Sequence, residues 1–510
     1  MQFPFKSGQF LGLLAFVSSS FFHLFVNSSL GIAEQTSPPD TDIPAVCNGH
    51  WQRSIDAIIN HPKFARAQWG ILVQPLDAER PLYALNERRY FLGASTVKLL
   101  TTAAALSKLG ANYRIRTPFY ASGSPPVLET LRVAGRGDPS VTTEEISAIA
   151  QQLYRQGVRQ IDQLIADDRY FSQPHRPSTW EGGDLFFAYA PAINSLILNQ
   201  NQFSLAFSPQ QIGEPVKLSW QDEIAATQWQ FNNSTLTSSG ETSSRLEIKG
   251  ILGQPALQIR GTLGVDTEPF SWELAVLDPG RYFLETLKTN LELAGIEVGQ
   301  LHLATPPERF DSLAELTAIE SPSLGRIIQE INQESNNLYA EALLRHLSAV
   351  STGAARQRAA NTGSLSLGLD VVQDTLTELG IDSNSYILAD ASGLSRHNLV
   401  SPEALVQTLV TMTTSPHFVT YRNSLGVAGI SGTLENRFQK TPVRGNLRGK
   451  TGTMRNVSAL SGYLEVGENR PWVFSIILNQ TTEPTTEQRK AIDEIVLILS
   501  KVKSCHEIRF

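Results

Sequence analysis

The sequence predicts a mixed α/β (α+β) fold: an antiparallel sheet flanked by helices, completed by both ends of the chain and interrupted by two inserted domains. Three observations predict it. Near the start, residues 68–74 and 81–85 have the composition of a strand pair, with Leu76-Asp77-Ala78-Glu79-Arg80 as the turn. Near the end, residues 457–466 and 472–479 form a second pair, followed by Ile492, Ile495, Val496 and Leu499 at helical spacing. Between them, from about residue 114 to 308, short β-like runs are separated by Gly, Pro, Ser and Asn clusters, the pattern of inserted domains.

The chain has 510 residues, 41% hydrophobic and 18% charged, which is enough for two or three packed domains. A formal net charge of -7 without a long Lys/Arg block gives no electrostatic reason for a nucleic-acid partner. In residues 1–33, Lys6 precedes an apolar stretch from Phe10 to Val26, broken by serines 18 to 20 and His23. Gly31 and Ala33 then offer a cleavage site before Glu34. This is the pattern of a secretory signal peptide. The polar breaks leave fewer than the roughly 20 continuous apolar residues a spanning helix needs. The expectation is an exported protein, periplasmic or otherwise extracytoplasmic, with no membrane span once the signal is removed.

A loose leader covers about 34–46, and Trp51, Ile55, Ile58 and Ile59 then predict a short helix. The two cysteines, Cys47 and Cys505, flank the predicted fold; an even count in an exported protein permits one disulfide tying the ends together, or two separate thiols. With so few thiolates and no paired histidine spacing, neither a metal nor another cofactor is expected. His346 and His397 read as structural or surface residues.

Within the inserted region, 142–156 predicts a helix and 163–167 a strand, followed by β-like runs at 203–207, 216–220 and 256–262. The Ser/Thr/Asn-rich tract at 232–244 has strand signals on both sides. It reads as part of a small β domain, 208–270, nested in a larger α/β insertion made of 114–207 and 271–308. The enclosing domain then comprises 34–113 and 309–510.

Three motifs carry chemistry. Gly93-Ala94-Ser95-Thr96-Val97-Lys98 opens a run through Ala103-Ala104-Ala105 that ends at Gly110. It predicts a buried helix with Ser95 at its N-terminus and Lys98 one turn on, on the same face. A serine hydroxyl is a weak nucleophile until a nearby base takes its proton, and a lysine of lowered pKa can serve. Ser335-Asn336-Asn337 stands at the entrance of a strong helix former, where a hydroxyl and an amide can cap a helix or point into a cleft. Lys450-Thr451-Gly452-Thr453 reads as an exposed strand in which Gly452 lets a ligand backbone approach closely, and Lys450 and the threonines can bind a carboxylate.

In the order Ser-x-x-Lys, Ser-x-Asn, Lys-Thr-Gly, the three motifs resemble the signature set of penicillin-binding proteins and serine β-lactamases. The stretch between Lys98 and Ser335 is too long for a compact β-lactamase. It is similar to that of the low-molecular-mass D-alanyl-D-alanine carboxypeptidase/endopeptidase family, which carries two extra domains there. Asn337-Leu338-Tyr339-Ala340-Glu341, Asp390-Ala391-Ser392-Gly393-Leu394-Ser395 with Asn398, and Ala428-Gly429-Ile430-Ser431-Gly432-Thr433-Leu434 support the same resemblance.

The resemblance implies a penicillin-binding-protein transpeptidase-like domain that cleaves peptidoglycan stem peptides through an acyl-enzyme, with β-lactam antibiotics as inhibitors. Ser95 would attack the carbonyl between two D-alanines, with Lys98 as base, its ammonium form disfavoured by Lys450. Ser335 would pass a proton to the leaving amine and Asn337 would orient the peptide and Lys98. The N–H groups of Ser95 and Thr453 would form an oxyanion hole, and Lys450, Thr451 and Thr453 would hold the terminal carboxylate. Asp167 resembles the family's acidic residue for the side-chain amine of a diamino acid, although Asp168 or a plain strand-end aspartate fits the same stretch. Asn336 stands where many relatives carry Asp, a position not expected to do chemistry, and no water-activating glutamate is identified. A β-lactamase or esterase using the same serine, or a non-catalytic cell-wall-binding scaffold, are the alternative readings.

Overall fold

The computed structural model describes residues 50–76, 80–240, 245–251, 253–351, 354–465 and 471–502, with side chains throughout except at 354–362. The expected signal at 1–33, Cys47 and Cys505 lie outside the described residues.

Both predicted strand pairs form, and they join. The central sheet has six strands in the order Gly426–Val427, Leu447–Met454, Val457–Leu464, Trp472–Asn479, Gln68–Pro75 and Tyr83–Leu85. Every neighbouring pair is antiparallel, and the ends of the chain meet where Gln68 pairs with Asn479 and Pro75 with Trp472. Both Val457–Leu464 and Trp472–Asn479 are buried along their whole length, because helices cover both faces.

Alternation along each strand assigns side chains to two cores. Phe474, Ile476 and Leu478, with Ile71 and Leu460, pack beneath Trp51 and Ile55 of helix His50–Ile59 and Ile492, Ile495 and Val496 of helix Thr485–Leu499. Val473, Ile477 and Ala459 face the opposite layer, built from helices Lys98–Leu109, Leu324–Gln333, Asn337–Val350 and Pro402–Thr414. Helix Lys98–Leu109 lies in the middle of that layer. Gly110 ends it in a positive-φ conformation, its N–H bonded to the Leu106 carbonyl at 2.9 Å.

The inserted region is built on a five-stranded mixed sheet in the order Glu297–Leu303, Gln160–Asp167, Val127–Ala134, Arg116–Ser124 and Ala314–Glu320. The first three strands are parallel and the last two antiparallel. Helices Thr143–Arg155 and Pro279–Leu293 pack against this sheet. A capping box fixes the start of the first, with Thr142 and Glu145 satisfying each other's backbone groups. The tract 208–270, expected as a nested β domain, holds one whole three-stranded sheet, Gln230–Ser238, Ala256–Gly264 and Arg245–Gly250. In a second, its strand Lys217–Trp220 pairs with Gln202–Ser208, which pairs with Phe270–Ala275, both lying almost wholly in the segments expected to belong to the enclosing insertion. A loop between the strand Gln160–Asp167 and these sheets returns to the enclosing body, where Trp180, Ala190, Ile193 and Ile197 pack on Leu338, Ala342 and Leu394.

Candidate active site

Ser95 sits in a single 3-10 turn, Ala94–Val97, that runs directly into helix Lys98–Leu109, one step before the α-helix rather than on its first turn. The turn is held from two sides. Gly393 has φ +79, and a side chain there would meet the Ala94 carbonyl oxygen at 2.0 Å; one on Gly452 would meet the Gly93 oxygen at 2.4 Å. These contacts require glycine and press the third motif against the first.

Lys98 is fully buried, and its Nζ lies 2.9 Å from Ser95 Oγ, 2.6 Å from Asn337 Oδ1 and 2.6 Å from the Ser392 carbonyl oxygen. Lys450 is also fully buried; its Nζ is 2.9 Å from both Ser335 Oγ and the Thr451 carbonyl. Ser335 adopts the left-handed conformation, φ 61, just before the helix that Asn336 caps by accepting from the Tyr339 N–H. Asn336 also donates to Gln200 Oε1 at 2.7 Å, which ties the second motif to the inserted region. The structure thus brings Ser95, Lys98, Ser335, Asn337, Lys450, Thr451, Gly452 and Thr453 into one cluster.

Burial pushes the Lys98 ammonium down to about 7, against the pull of Asp390 and Glu341, which favour the charged form. The cause differs from the one expected, namely repulsion by Lys450. That repulsion appears at the partner: burial first, then the charge of Lys98, hold Lys450 well below the ordinary lysine range.

Three residues around the cluster were not singled out for a role from the sequence. The Ser392 carbonyl takes Lys98 directly. Its loop is held by the buried Asp390, which accepts from the N–H groups of Gly393 (2.7 Å) and Ser395 (2.6 Å), from Asn398 Nδ2 (2.8 Å) and from Trp180 Nε1 (2.8 Å). Arg489, on helix Thr485–Leu499, donates to Thr453 Oγ1 at 3.3 Å and brings a cation to the exposed end of the third motif. A cation one turn into a terminal helix has no local signature in the sequence.

Asp167 stands apart from the cluster. It is 5% exposed and clamped by Arg132 and Arg169, at 2.5 and 2.8 Å. Burial raises its pKa, but the hydrogen bonds from Arg169 and Arg132 outweigh it and hold the carboxyl at about 2. A carboxylate already held by two guanidinium groups has little left for a substrate ammonium. Asp168 accepts from Asn194 Nδ2 at 2.7 Å. Asp184 is joined to the cluster through Tyr189: it accepts from Tyr189 Oη at 2.7 Å, and the Tyr189 carbonyl accepts from Asn337 Nδ2 at 2.8 Å. His346 is buried between Tyr113 Oη and the Arg136 carbonyl, at 2.8 and 3.0 Å.

A helix-covered antiparallel sheet with these three motifs clustered at one strand edge defines the serine β-lactamase and penicillin-binding-protein transpeptidase-like class of acyl-transfer enzymes. The comparisons specify it further. Residues 51–502 match the D-Ala-D-Ala carboxypeptidase 3 (S13) family, and the chain belongs to that family of peptidases. It is 31% identical to a D-alanyl-D-alanine carboxypeptidase of Actinomadura sp. (strain R39), covering 85% of this chain and 81% of that protein. It is 26% identical to a D-alanyl-D-alanine carboxypeptidase DacB of Haemophilus influenzae, covering 80% of this chain and 85% of that protein. The crystal structure of penicillin binding protein 4 (dacB) from Haemophilus influenzae shares the fold with a TM-score of 0.76 at 22% identity, covering 87% of this chain and 98% of that one. Among the described residues, no helix is long and apolar enough to cross a membrane.

Proposed function

We propose that the chain is an exported serine D-Ala-D-Ala carboxypeptidase and endopeptidase that trims peptidoglycan stem peptides through an acyl-enzyme on Ser95, and that β-lactams acylate the same residue. The observation that carries the proposal is the buried Lys98 Nζ 2.9 Å from Ser95 Oγ. An amine that burial holds near neutrality is a base at physiological pH, within reach of the proton it must take. Ser95 Oγ attacks the D-alanyl carbonyl as its proton passes to Lys98. The developing oxyanion is held by the N–H groups of Ser95 and Thr453, each donor contributing about 3 to 4 kcal/mol at such sites.

As the C–N bond breaks, the Ser335 hydroxyl delivers a proton to the departing D-alanine amine and takes in its place the one Lys98 removed from Ser95, so that Lys98 is again a free amine for deacylation; Lys450, 2.9 Å away, supports that hydroxyl. Water then hydrolyses the acyl-enzyme. Because Lys450 is fully buried on Ser335, the terminal carboxylate falls to Thr451, Thr453 and the cation of Arg489. Asn337 steers Lys98 through its oxygen and ties down the Tyr189 backbone through its nitrogen. Asp184, joined to that same Tyr189, is a better-placed acid than Asp167 for a cationic stem-peptide side chain.

Export through residues 1–33 belongs to the same reading, since the stem-peptide substrate lies outside the cytoplasm. So does a Cys47–Cys505 disulfide, supported by the packing of helix His50–Ile59 on Thr485–Leu499, and tested by the mass of the protein with and without reductant. We place the insertion at about 114 to 320, beyond the boundary at 308, because the strand Ala314–Glu320 pairs with Arg116–Ser124; limited proteolysis at the seams tests it.

The test of the central proposal is mass spectrometry after incubation with benzylpenicillin. The expected result is one penicillin mass on the peptide containing Ser95, absent in Ser95→Ala, with D-alanine release from a stem pentapeptide lost in the same variant. Wild-type protein that leaves both penicillin and pentapeptide untouched overturns it.

A further inference from the structure

Beneath the motif cluster lies a buried ion pair that the mechanism above does not use. Glu341 and Arg345 are both fully buried on helix Asn337–Val350, with Arg345 Nη1 3.1 Å from Glu341 Oε2. The other carboxylate oxygen of Glu341 accepts from the N–H groups of Ala391, at 2.9 Å, and Ser392, at 3.0 Å. The carbonyl of that same Ser392 receives Lys98 Nζ at 2.6 Å. Asn337, one turn before Glu341 on the same helix, receives Lys98 through its side chain.

We infer that Glu341 is a positioning residue for acyl transfer: through the backbone of Ser392 it fixes the acceptor that aims Lys98 at Ser95. The inference rests on Lys98 being the base. A neutral amine has two N–H donors and one lone pair. Two fixed acceptors, Asn337 Oδ1 and the Ser392 oxygen, take the two N–H groups, and the lone pair is left facing the Ser95 hydroxyl. If the Ser392 carbonyl turns away, the amine rotates and the lone pair no longer faces that hydroxyl, although no catalytic side chain has been touched. A carboxylate across two consecutive N–H groups holds that peptide more firmly than a neutral acceptor.

Charge gives the same pair a second effect. The groups facing Lys98 are Glu341 from the helix, Asp390 from the loop and Lys450 from the strand; those facing Glu341 are Arg345, Asp390 and Lys98. Burial raises Glu341 to about 7, with Asp390 adding to the rise, while Arg345 and the loop N–H groups oppose it. Its negative charge in turn favours the ammonium of Lys98. Glu341 therefore sets how much of Lys98 is free base at a given pH as well as where its lone pair points.

The experiment follows benzylpenicillin acylation of Ser95 against pH in wild type, Glu341→Gln and Glu341→Asp. Glutamine keeps an oxygen for the loop but loses the charge. The expected result is a plateau rate lower by about tenfold and an acidic limb moved down by about one pH unit. Aspartate keeps the charge and withdraws the oxygen, so its limb stays at the wild-type pH while its rate falls. If Glu341→Gln does not fold, Glu341→Gln/Arg345→Met removes the buried pair as a unit and carries the same expectation. A Glu341→Gln protein that loses thermal stability while keeping the wild-type limb and plateau rate overturns the inference and leaves Glu341 a purely structural residue. Wild-type protein that acylates normally beside such a variant leaves the proposed function standing; wild type that forms no Ser95 adduct removes both.

Discussion

Two lysines share the site, and their surroundings divide the work between them. Lys98 touches the nucleophile and is held at about 7, so it is largely ammonium below that pH and largely free amine above it. Only the free amine accepts the Ser95 proton. Acylation by benzylpenicillin is therefore expected to rise with pH through about 7 and to level off above it, measured as the rate of adduct formation. A rate independent of pH from 5.5 to 8.5 would contradict the assignment. Lys450 instead lies buried on Ser335, and in the proposed mechanism the carboxylate end of the cleft falls to Arg489, which donates to Thr453 Oγ1. Arg489→Gln is expected to reduce the preference for a free C-terminal carboxylate over the corresponding amide by about tenfold, through KM rather than kcat, since a charge-assisted contact is worth about 1.5 kcal/mol. Unchanged discrimination between acid and amide substrates would remove Arg489 from the binding site.

At the scale of elements, the site depends on a strand, a turn and a loop meeting at backbone distance. Gly393→Ala places a methyl group 2.0 Å from the Ala94 carbonyl and asks alanine to hold φ +79. A cost of about 1 to 3 kcal/mol and at least a tenfold loss in acylation are expected, read by thermal unfolding and by adduct formation. The end of strand Gln160–Asp167 behaves differently. Asp167→Asn is expected to lower the melting temperature and leave KM for a stem peptide unchanged, because the residue serves Arg132 and Arg169. The sign of its pH dependence follows from its lowered pKa: the clamp contributes above the unfolded value of 3.8 and is lost as pH falls toward about 2.

These two cases also separate what was legible in the sequence from what was not. The three motifs could be read, because each needs particular residue types a few positions apart. So could strand pairs 68–85 and 457–479, the second of which is a pair of apolar runs matching two covered faces. The clamp on Asp167 could not: Arg132 lies on a neighbouring parallel strand, and only the pairing of Ala134 with Asp167 brings it alongside. Nor could the Ser392 carbonyl, which as a backbone atom leaves no mark in residue identity.

On the scale of the whole molecule, the inserted region is wired into the site by the segment that follows strand Gln160–Asp167. Trp180 packs on Leu338 and Leu394, and its Nε1 donates to Asp390, the carboxylate that shapes the loop presenting Ser392 to Lys98. Glu181 beside it pairs with Arg396 at 2.7 Å, and Asn336 reaches Gln200 from the other side. The body thus relies on the insertion to complete the support of its own base. A change at this seam is therefore expected to impair acylation out of proportion to its effect on stability. Trp180→Phe keeps most of the packing and removes the N–H, leaving Asp390 short of one donor at a cost of about 1 to 3 kcal/mol. Leu257→Ala, in the core of the nested sheets, empties a fully buried site at a cost of about 2 to 5 kcal/mol. With both variants folded at the assay temperature, Trp180→Phe is expected to slow penicillin acylation severalfold and Leu257→Ala to leave it at the wild-type rate, although the second is the less stable protein. Equal rates in the two variants would show that the insertion is a passenger on the catalytic body and that Asp390 holds its loop without help.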